Sequence, residues 1–287
     1  MKTETAAPVL DTHEATGHAP ELYEPIGLAT PINSLDAFDC DALEHYQRDG
    51  YLAIENAFTA TEVRDALAGM DDLVMGKKEG FTGIEFEKKA RDVLPTLPLE
   101  SRLDAVRKFY DFAAYEPRLD ALAAQPKLLQ VLEAVLGEAP RRFQDMALIK
   151  PPKIGREKPW HQDHAYFDFP MDTRIVGVWI ALDEATVENG CMRVLSGAHR
   201  EGPKLHFQRR DWQICDKEMN GIKPVAVPLR PGGLLLFDAL LPHGTPANFS
   251  PTRRRAVQYH YHNESAKKTR SEDRMAIFGS EGKDVSC

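Results

Sequence analysis

The chain has 287 residues, 43% hydrophobic and 28% charged, the balance of a globular protein with enough apolar surface for one sizeable core. Its 36 basic and 44 acidic side chains give a net charge of −8, which argues against nucleic acid as a partner and leaves room only for a local basic pocket. No run approaches the roughly 20 apolar residues of a membrane span, the N-terminus lacks a signal core, and Cys40, Cys191, Cys215 and Cys287 form no CxxC pair; the expectation is a soluble cytoplasmic protein with no membrane partner.

Residues 1–34, rich in Pro, Thr, Ala and Glu without periodicity, read as a flexible or loosely docked arm ahead of a single domain over 35–287. A short helix is expected over 41–48, ended by Gly50, and Tyr51–Ile54 is a strand candidate. Thr59-Ala-Thr-Glu62 matches a capping box and opens a helix with Val63, Leu67, Met70 and Val74 on one face. After a polar stretch around 76–100, punctuated by Pro95 and Pro98, further helices are expected through 105–114 and 119–137, with Pro126 in a first turn. From Arg142 onward, short runs rich in β-branched and aromatic residues alternate with Gly and Pro turns: 143–150, 174–182, 191–195, 225–229, 233–238 and 254–262. That pattern predicts antiparallel strands of a sandwich or barrel, with the helices packed on one sheet face. The fold class is mostly β with flanking helices.

The segment Pro159-Trp-His161-Gln-Asp163-His164 carries the first chemical signal. In a strand, residues two apart share a face, so His161 and Asp163 can grip one metal ion while His164 points away. An HxD is weak evidence alone. A second histidine completes a two-His, one-carboxylate set suited to Fe(II) with open positions, and His243, in Leu241-Pro-His243-Gly-Thr245, lies 80 residues beyond Asp163. His199 and His206 read as surface or hydrogen-bonding histidines. Past His243, alternation over 254–260 places Arg254, Ala256, Gln258 and His260 on one face and Arg255, Val257 and Tyr259, with Arg253, on the other. An arginine aimed into an iron site would offer a fork for the far carboxylate of a keto acid such as 2-oxoglutarate.

With these motifs in order, the sequence resembles the phytanoyl-CoA dioxygenase family over roughly residues 36–265. The matches are Met146-Ala-Leu-Ile-Lys150-Pro-Pro, His161-Gln-Asp163-His-Ala-Tyr166-Phe-Asp-Phe169, Gly177-Val-Trp179-Ile-Ala-Leu, Glu188-Asn-Gly190-Cys191 through His199, and the block from Pro231 to His260. The resemblance implies a double-stranded β-helix (jelly-roll) core. It implies His161, Asp163 and His243 as iron ligands and Arg254, eleven residues past His243, as the 2-oxoglutarate arginine. Thr245, Trp179 and Met146 match residues lining the cosubstrate pocket, and Glu188-Asn-Gly190 matches a structural turn. The implied reaction consumes O2 and 2-oxoglutarate, releases succinate and CO2, and oxidises a C–H bond of a small-molecule substrate. Because Asp163 is present where related halogenases carry a small residue, hydroxylation is expected over halogenation. Tyr166, Phe167 and Phe169 could form an aromatic wall for the substrate, and Arg156 and Lys158 could meet an anionic group. The rival reading is a cupin-like metalloenzyme with the same three ligands and no 2-oxoglutarate; such chemistry has no need of Arg254.

Overall fold

The computed structural model describes residues 17–279 together with the backbone of Val9–Leu10. Residues 1–8, 11–16 and 280–287, and with them Cys287 and most of the first half of the expected arm, lie outside the described residues. Among the described residues no helix is long and apolar enough to cross a membrane.

Four helices precede the main β region. Asp39 accepts the Ala42 amide at 2.9 Å and opens α1 (Cys40–Asp49), which ends on Gly50 in the left-handed conformation at φ 78°. The expected capping box is present at the start of α2 (Ala60–Val74): the Glu62 amide donates to Thr59 Oγ1 at 3.3 Å, and the Thr59 amide donates to Glu62 at 2.7 Å. The region 119–137 is two helices, α3 (Pro117–Ala123) and α4 (Pro126–Leu136). They are separated because Gln125 caps the Leu128 amide at 2.6 Å and Pro126 begins the second one. A fifth helix, α5 (Ser271–Phe278), follows the last strand.

The strands in chain order are β1 (Val9–Leu10), β2 (Gly27–Leu28), β3 (Tyr51–Ile54), β4 (Ile84–Phe86), β5 (Val106–Tyr110), β6 (Pro140–Lys150), β7 (Lys158–His161) and β8 (Ile175–Ala181). They continue with β9 (Met192–Val194), β10 (His206–Gln208), β11 (Trp212–Ile214), β12 (Val225–Val227), β13 (Leu234–Asp238), β14 (His243–Thr245) and β15 (Arg254–Asn263). An eight-stranded sheet runs β1-β4-β5-β6-β15-β8-β13-β3, and a five-stranded sheet runs β2-β12-β9-β14-β7. Two facing sheets, not closed into a barrel, form the jelly roll.

Alternation along the large sheet divides the core. Val178, Ile180, Leu234, Leu236, Val257 and Tyr259 point outward into a cluster shared with α1–α4. Trp179, Ala181, Leu235, Phe237 and Ala256 point inward against Met192, Val194, Ala226 and Val227 of the small sheet. Side chains from β15 therefore either anchor helices or enter the space between the sheets, and Arg254, Gln258 and His260 enter it.

Two expectations are corrected. Residues 105–114 are not a helix: a 3-10 stretch at Leu99–Ala105 leads into strand β5, paired with β4 and β6. Non-local pairing decides this segment, since Phe109 and Val106 are fully buried in the helix-side core while Lys108 and Tyr110 face inward. Nor are residues 17–34 loosely docked. Tyr23 stacks on Trp160 with centroids 5.6 Å apart, its hydroxyl donates to Glu157 at 2.8 Å, and Trp160 Nε1 donates to the Leu22 carbonyl at 2.8 Å. Trp160 directly precedes His161, so this segment braces the strand that carries it.

Candidate active site

β7 and β14 are antiparallel neighbours with His161 opposite His243, which brings the two imidazole centroids to 4.2 Å. Pairing of β7 stops at His161. Gln162 nevertheless remains extended (φ −115°, ψ 130°), so Asp163, the first residue of a 3-10 turn rather than a strand residue, still projects beside His161. Asp163 Oδ1 lies 3.2 Å from His161 Nε2 and 3.6 Å from His243 Nε2. Ligand atoms of all three residues fall within 4.8 Å of one another, and all three are buried. His164 turns away to the Phe169 carbonyl.

The protonation states suit a cation. His161 Nδ1 and His243 Nδ1 sit 2.7 and 2.9 Å from the carbonyls of Pro159 and Leu241, which fixes these nitrogens as donors and leaves both Nε2 lone pairs facing inward. Burial, helped by Lys158, lowers the pKa of His161; burial, helped by His161, pushes His243 down to about 3. Burial opposes ionisation of Asp163, but the surrounding imidazoles of His243, His260 and His161 outweigh it and hold the carboxylate well below its ordinary range. Its other oxygen, Oδ2, is 2.7 Å from His260 Nε2 and accepts from Gln258 Nε2 at 3.1 Å. These two positioning residues were assigned no role from sequence. The alternation of β15, which put them on the Arg254 face, was the available signal.

The segment between the ligand candidates is clamped from a third side. The Gln162 amide donates to His206 Nε2 at 3.0 Å, and the Gln162 side chain bonds the Gly202 and Leu240 carbonyls and the Lys204 amide. His206 lies in β10, 2% exposed, with its pKa lowered to about 3 by burial. An unfolded histidine titrates near 6.5. Below that pH the unfolded chain takes up a proton that folded His206 refuses, so this residue makes stability fall as the medium is acidified and has no effect above roughly pH 7. The loss is about 1.4 kcal/mol per pH unit between the two values. Melting temperatures of wild type and His206→Gln between pH 7 and 4 should show a shallower acid decline in the variant; parallel declines would refute it.

The triad opens on a cavity of about 260 Å3 between the sheets. Arg254, Thr245, Met146, Tyr166 and Phe167 line it, as do Arg156 and Lys158. Phe169 does not; it packs on Phe143 and His262. Trp179 is also off the wall, a correction to its expected lining position: it lies in the inter-sheet core beneath Arg254, whose Cζ is 5.2 Å from the indole ring. The three consecutive arginines have different surroundings. Arg255 makes a two-pronged contact with Asp183 at 2.8 Å on both sides, and Arg253 pairs with Asp104 at 2.8 Å. Arg254 is 2% exposed, and its Nε and Nη1 have no hydrogen-bond partner. Burial lowers its pKa to about 10, so it stays a cation at neutral pH. An unpaired buried guanidinium is costly unless a carboxylate completes it. Arg254 and the imidazole–carboxylate donor set together fit a bound metal and a dicarboxylic cosubstrate. Asn189, by contrast, bonds the Thr186 amide and the Glu184 carbonyl at 2.8 Å each, in keeping with a structural turn.

A jelly roll with two histidines and one carboxylate gathered at the mouth of an inter-sheet cavity carries the donor set of the mononuclear, non-haem metalloproteins. The chain belongs to the phytanoyl-CoA dioxygenase family, whose model matches residues 46–256. It is similar to "Phytanoyl-CoA dioxygenase domain-containing protein 1 homolog" of Caenorhabditis elegans, 24% identical over 261 residues that cover 77% of this chain and 89% of the relative. Among solved structures, EvdO2 of Micromonospora carbonacea var. aurantiaca complexed with 2-oxoglutarate is 25% identical with a TM-score of 0.62, covering 85% of this chain and 98% of that one. The epimerase SnoN in complex with Fe3+, alpha ketoglutarate and nogalamycin RO aligns with a TM-score of 0.64 at 21% identity, over 83% of this chain and 86% of that one. Membership of this family, with a His–Asp–His donor set at the cavity, supports an iron- and 2-oxoglutarate-dependent oxygenase.

Proposed function

We propose that His161, Asp163 and His243 hold one Fe(II), that Arg254 receives the far carboxylate of 2-oxoglutarate, and that the protein hydroxylates a C–H bond of a small molecule. The observation that carries this reading is the unpartnered Arg254 guanidinium, buried in the same cavity as the triad. When bound, iron with 2-oxoglutarate and O2 supplies oxidative decarboxylation to succinate and CO2, coupled to oxidation of the substrate C–H bond.

The chain's own groups set the conditions. The carbonyls of Pro159 and Leu241 hold both imidazoles in the ligating tautomer, and Gln258 and His260 fix the carboxylate. The three ligand groups meet at the cavity, so a metal held there would keep positions for other ligands. Trp179 supports Arg254 from behind, and Thr245 and Met146 stand on the wall nearby. Phe167, Leu148 and Met192 give the cavity apolar wall that limits water near the reacting centre. As a ligand, the Asp163 carboxylate would take the position a halide would need, which favours hydroxylation over transfer of a halide.

The test is direct. Metal-loaded protein should bind 2-oxoglutarate in calorimetry and, with Fe(II), ascorbate and O2, release succinate slowly without added substrate. Metal-loaded protein that leaves 2-oxoglutarate unbound overturns the reading.

A further inference from the structure

In a chain of net charge −8, the cavity is basic: Arg107, Lys108, Lys150, Arg156, Lys158 and Arg254 line it against Asp163 and Asp211. Most of these cations have partners in the fold. Lys158 donates to Asp211 at 2.9 Å and to the Tyr166 hydroxyl at 3.0 Å. Lys150 donates to the Arg156 carbonyl at 2.5 Å. Arg107 lies 3.6 Å from Glu85 and 3.5 Å from Glu87, and Arg156 lies 3.7 Å from Asp211. Arg254 is accounted for by the cosubstrate. Lys108 is left over: among the described residues its ammonium has neither a hydrogen bond nor an ion pair, and it lies 5.6 Å from the centroid of the Tyr110 ring.

We propose that the end of the cavity at β5 receives a carboxylate of the substrate, with Lys108 as its counter-charge. This rests on the reading of the metal and Arg254 given above. In the large sheet β6 separates β5 from β15, so Lys108 stands about 10 Å, two strand spacings, from the β15 backbone that carries Gln258 and His260. A substrate anchored there would span from β5 toward the open side of the metal. A local bulge presents the recognition end: Lys108 pairs with Glu85 and Val106 with Phe86, leaving Arg107 as the extra residue, so Arg107 and Lys108 both reach the cavity.

The charges facing Lys108 come from three other segments and one neighbour. Lys158 and Arg107 repel its proton, and Asp211 and Glu85 favour it. Both acids are already engaged, Glu85 also accepting from the Tyr110 hydroxyl at 3.0 Å, and burial with the nearby cations lowers the Lys108 pKa to about 8. A bound carboxylate would relieve that deficit. The one cavity ammonium that, among the described residues, has neither a hydrogen bond nor an ion pair matches a monoanionic group, and a 260 Å3 cavity, below the roughly 300–1,000 Å3 usual for ligand sites, limits the substrate to a small molecule.

Calorimetry on protein loaded with Mn(II) and 2-oxoglutarate tests this, using butyrate, valerate and hexanoate, each against its primary amide. At least one acid should bind tenfold or more tightly than its amide. Lys108→Met should bring the ratio to near one, and Lys108→Arg should retain the preference; thermal melting reports whether both variants fold. No acid outbinding its amide on wild type, or a preference that survives Lys108→Met, overturns the proposal. So does a rise in the 2-oxoglutarate Kd on Lys108→Met as large as that on Arg254→Met, which would assign Lys108 to the cosubstrate. Failure of wild type to bind 2-oxoglutarate is a different outcome and sinks the parent reading.

Discussion

Replacing Asp163 by alanine is expected to abolish iron-dependent succinate release and to weaken Fe(II) binding by more than a hundredfold. Losing a partner of a metal ligand already costs roughly 10–100-fold. Asp163 is itself the proposed charged ligand, and its carboxylate meets His161 and His243 on one oxygen and Gln258 and His260 on the other. Without it, two imidazoles remain with no negative charge to offset the cation, and two hydrogen-bonding side chains lose their acceptor. Asp163→Asn, of nearly the same shape, separates loss of charge from loss of packing and should also lose turnover. Metal content after equilibrium dialysis checks the result; wild-type iron affinity in Asp163→Ala would remove Asp163 from the metal.

Arg254→Met should raise the Kd for 2-oxoglutarate by roughly 30- to 700-fold, since one charge-assisted two-pronged contact is worth about 2–4 kcal/mol. Iron affinity should stay as in wild type. The ligand-free variant should melt no lower than wild type, because the substitution removes a buried cation whose Nε and Nη1 have no partner. Affinity lost without stability lost marks a binding residue; a structural arginine would lose both. Calorimetry and thermal melting on the same samples distinguish them.

The sequence made some of this legible and hid the rest for physical reasons. Caps and breakers act locally, so Gly50, the Thr59–Glu62 box and Pro126 marked their helix ends from residue type alone. Period-two alternation sorted β15 into two faces, placing Arg254, Gln258 and His260 together. Strand β5 was hidden because five residues, two of them basic, become a strand only through pairing with β4 and β6. Cross-strand pairing of His161 with His243 joins residues 82 apart; donor chemistry and the motif resemblance anticipated that the two would meet, and neither gave the pairing. Short β7 and β14 carry no periodicity to read. The bracing of His161 by Tyr23 and Leu22 was equally invisible, since composition alone described that segment.

The bulge in β5 has a consequence for how such a scaffold can diversify. The proposed metal ligands sit on β7, the turn after it and β14, with Gln258 and His260 in the middle of β15, while the Lys108 ammonium sits two strands from β15, toward one edge of the large sheet. Gain or loss of one residue beside Arg107 would exchange the side chain offered to the chamber without shifting any metal-side group. On the two proposals above, the group that would select the molecule to be oxidised and the groups that would hold the metal lie on separate strands, so the first can be changed without replacing the second.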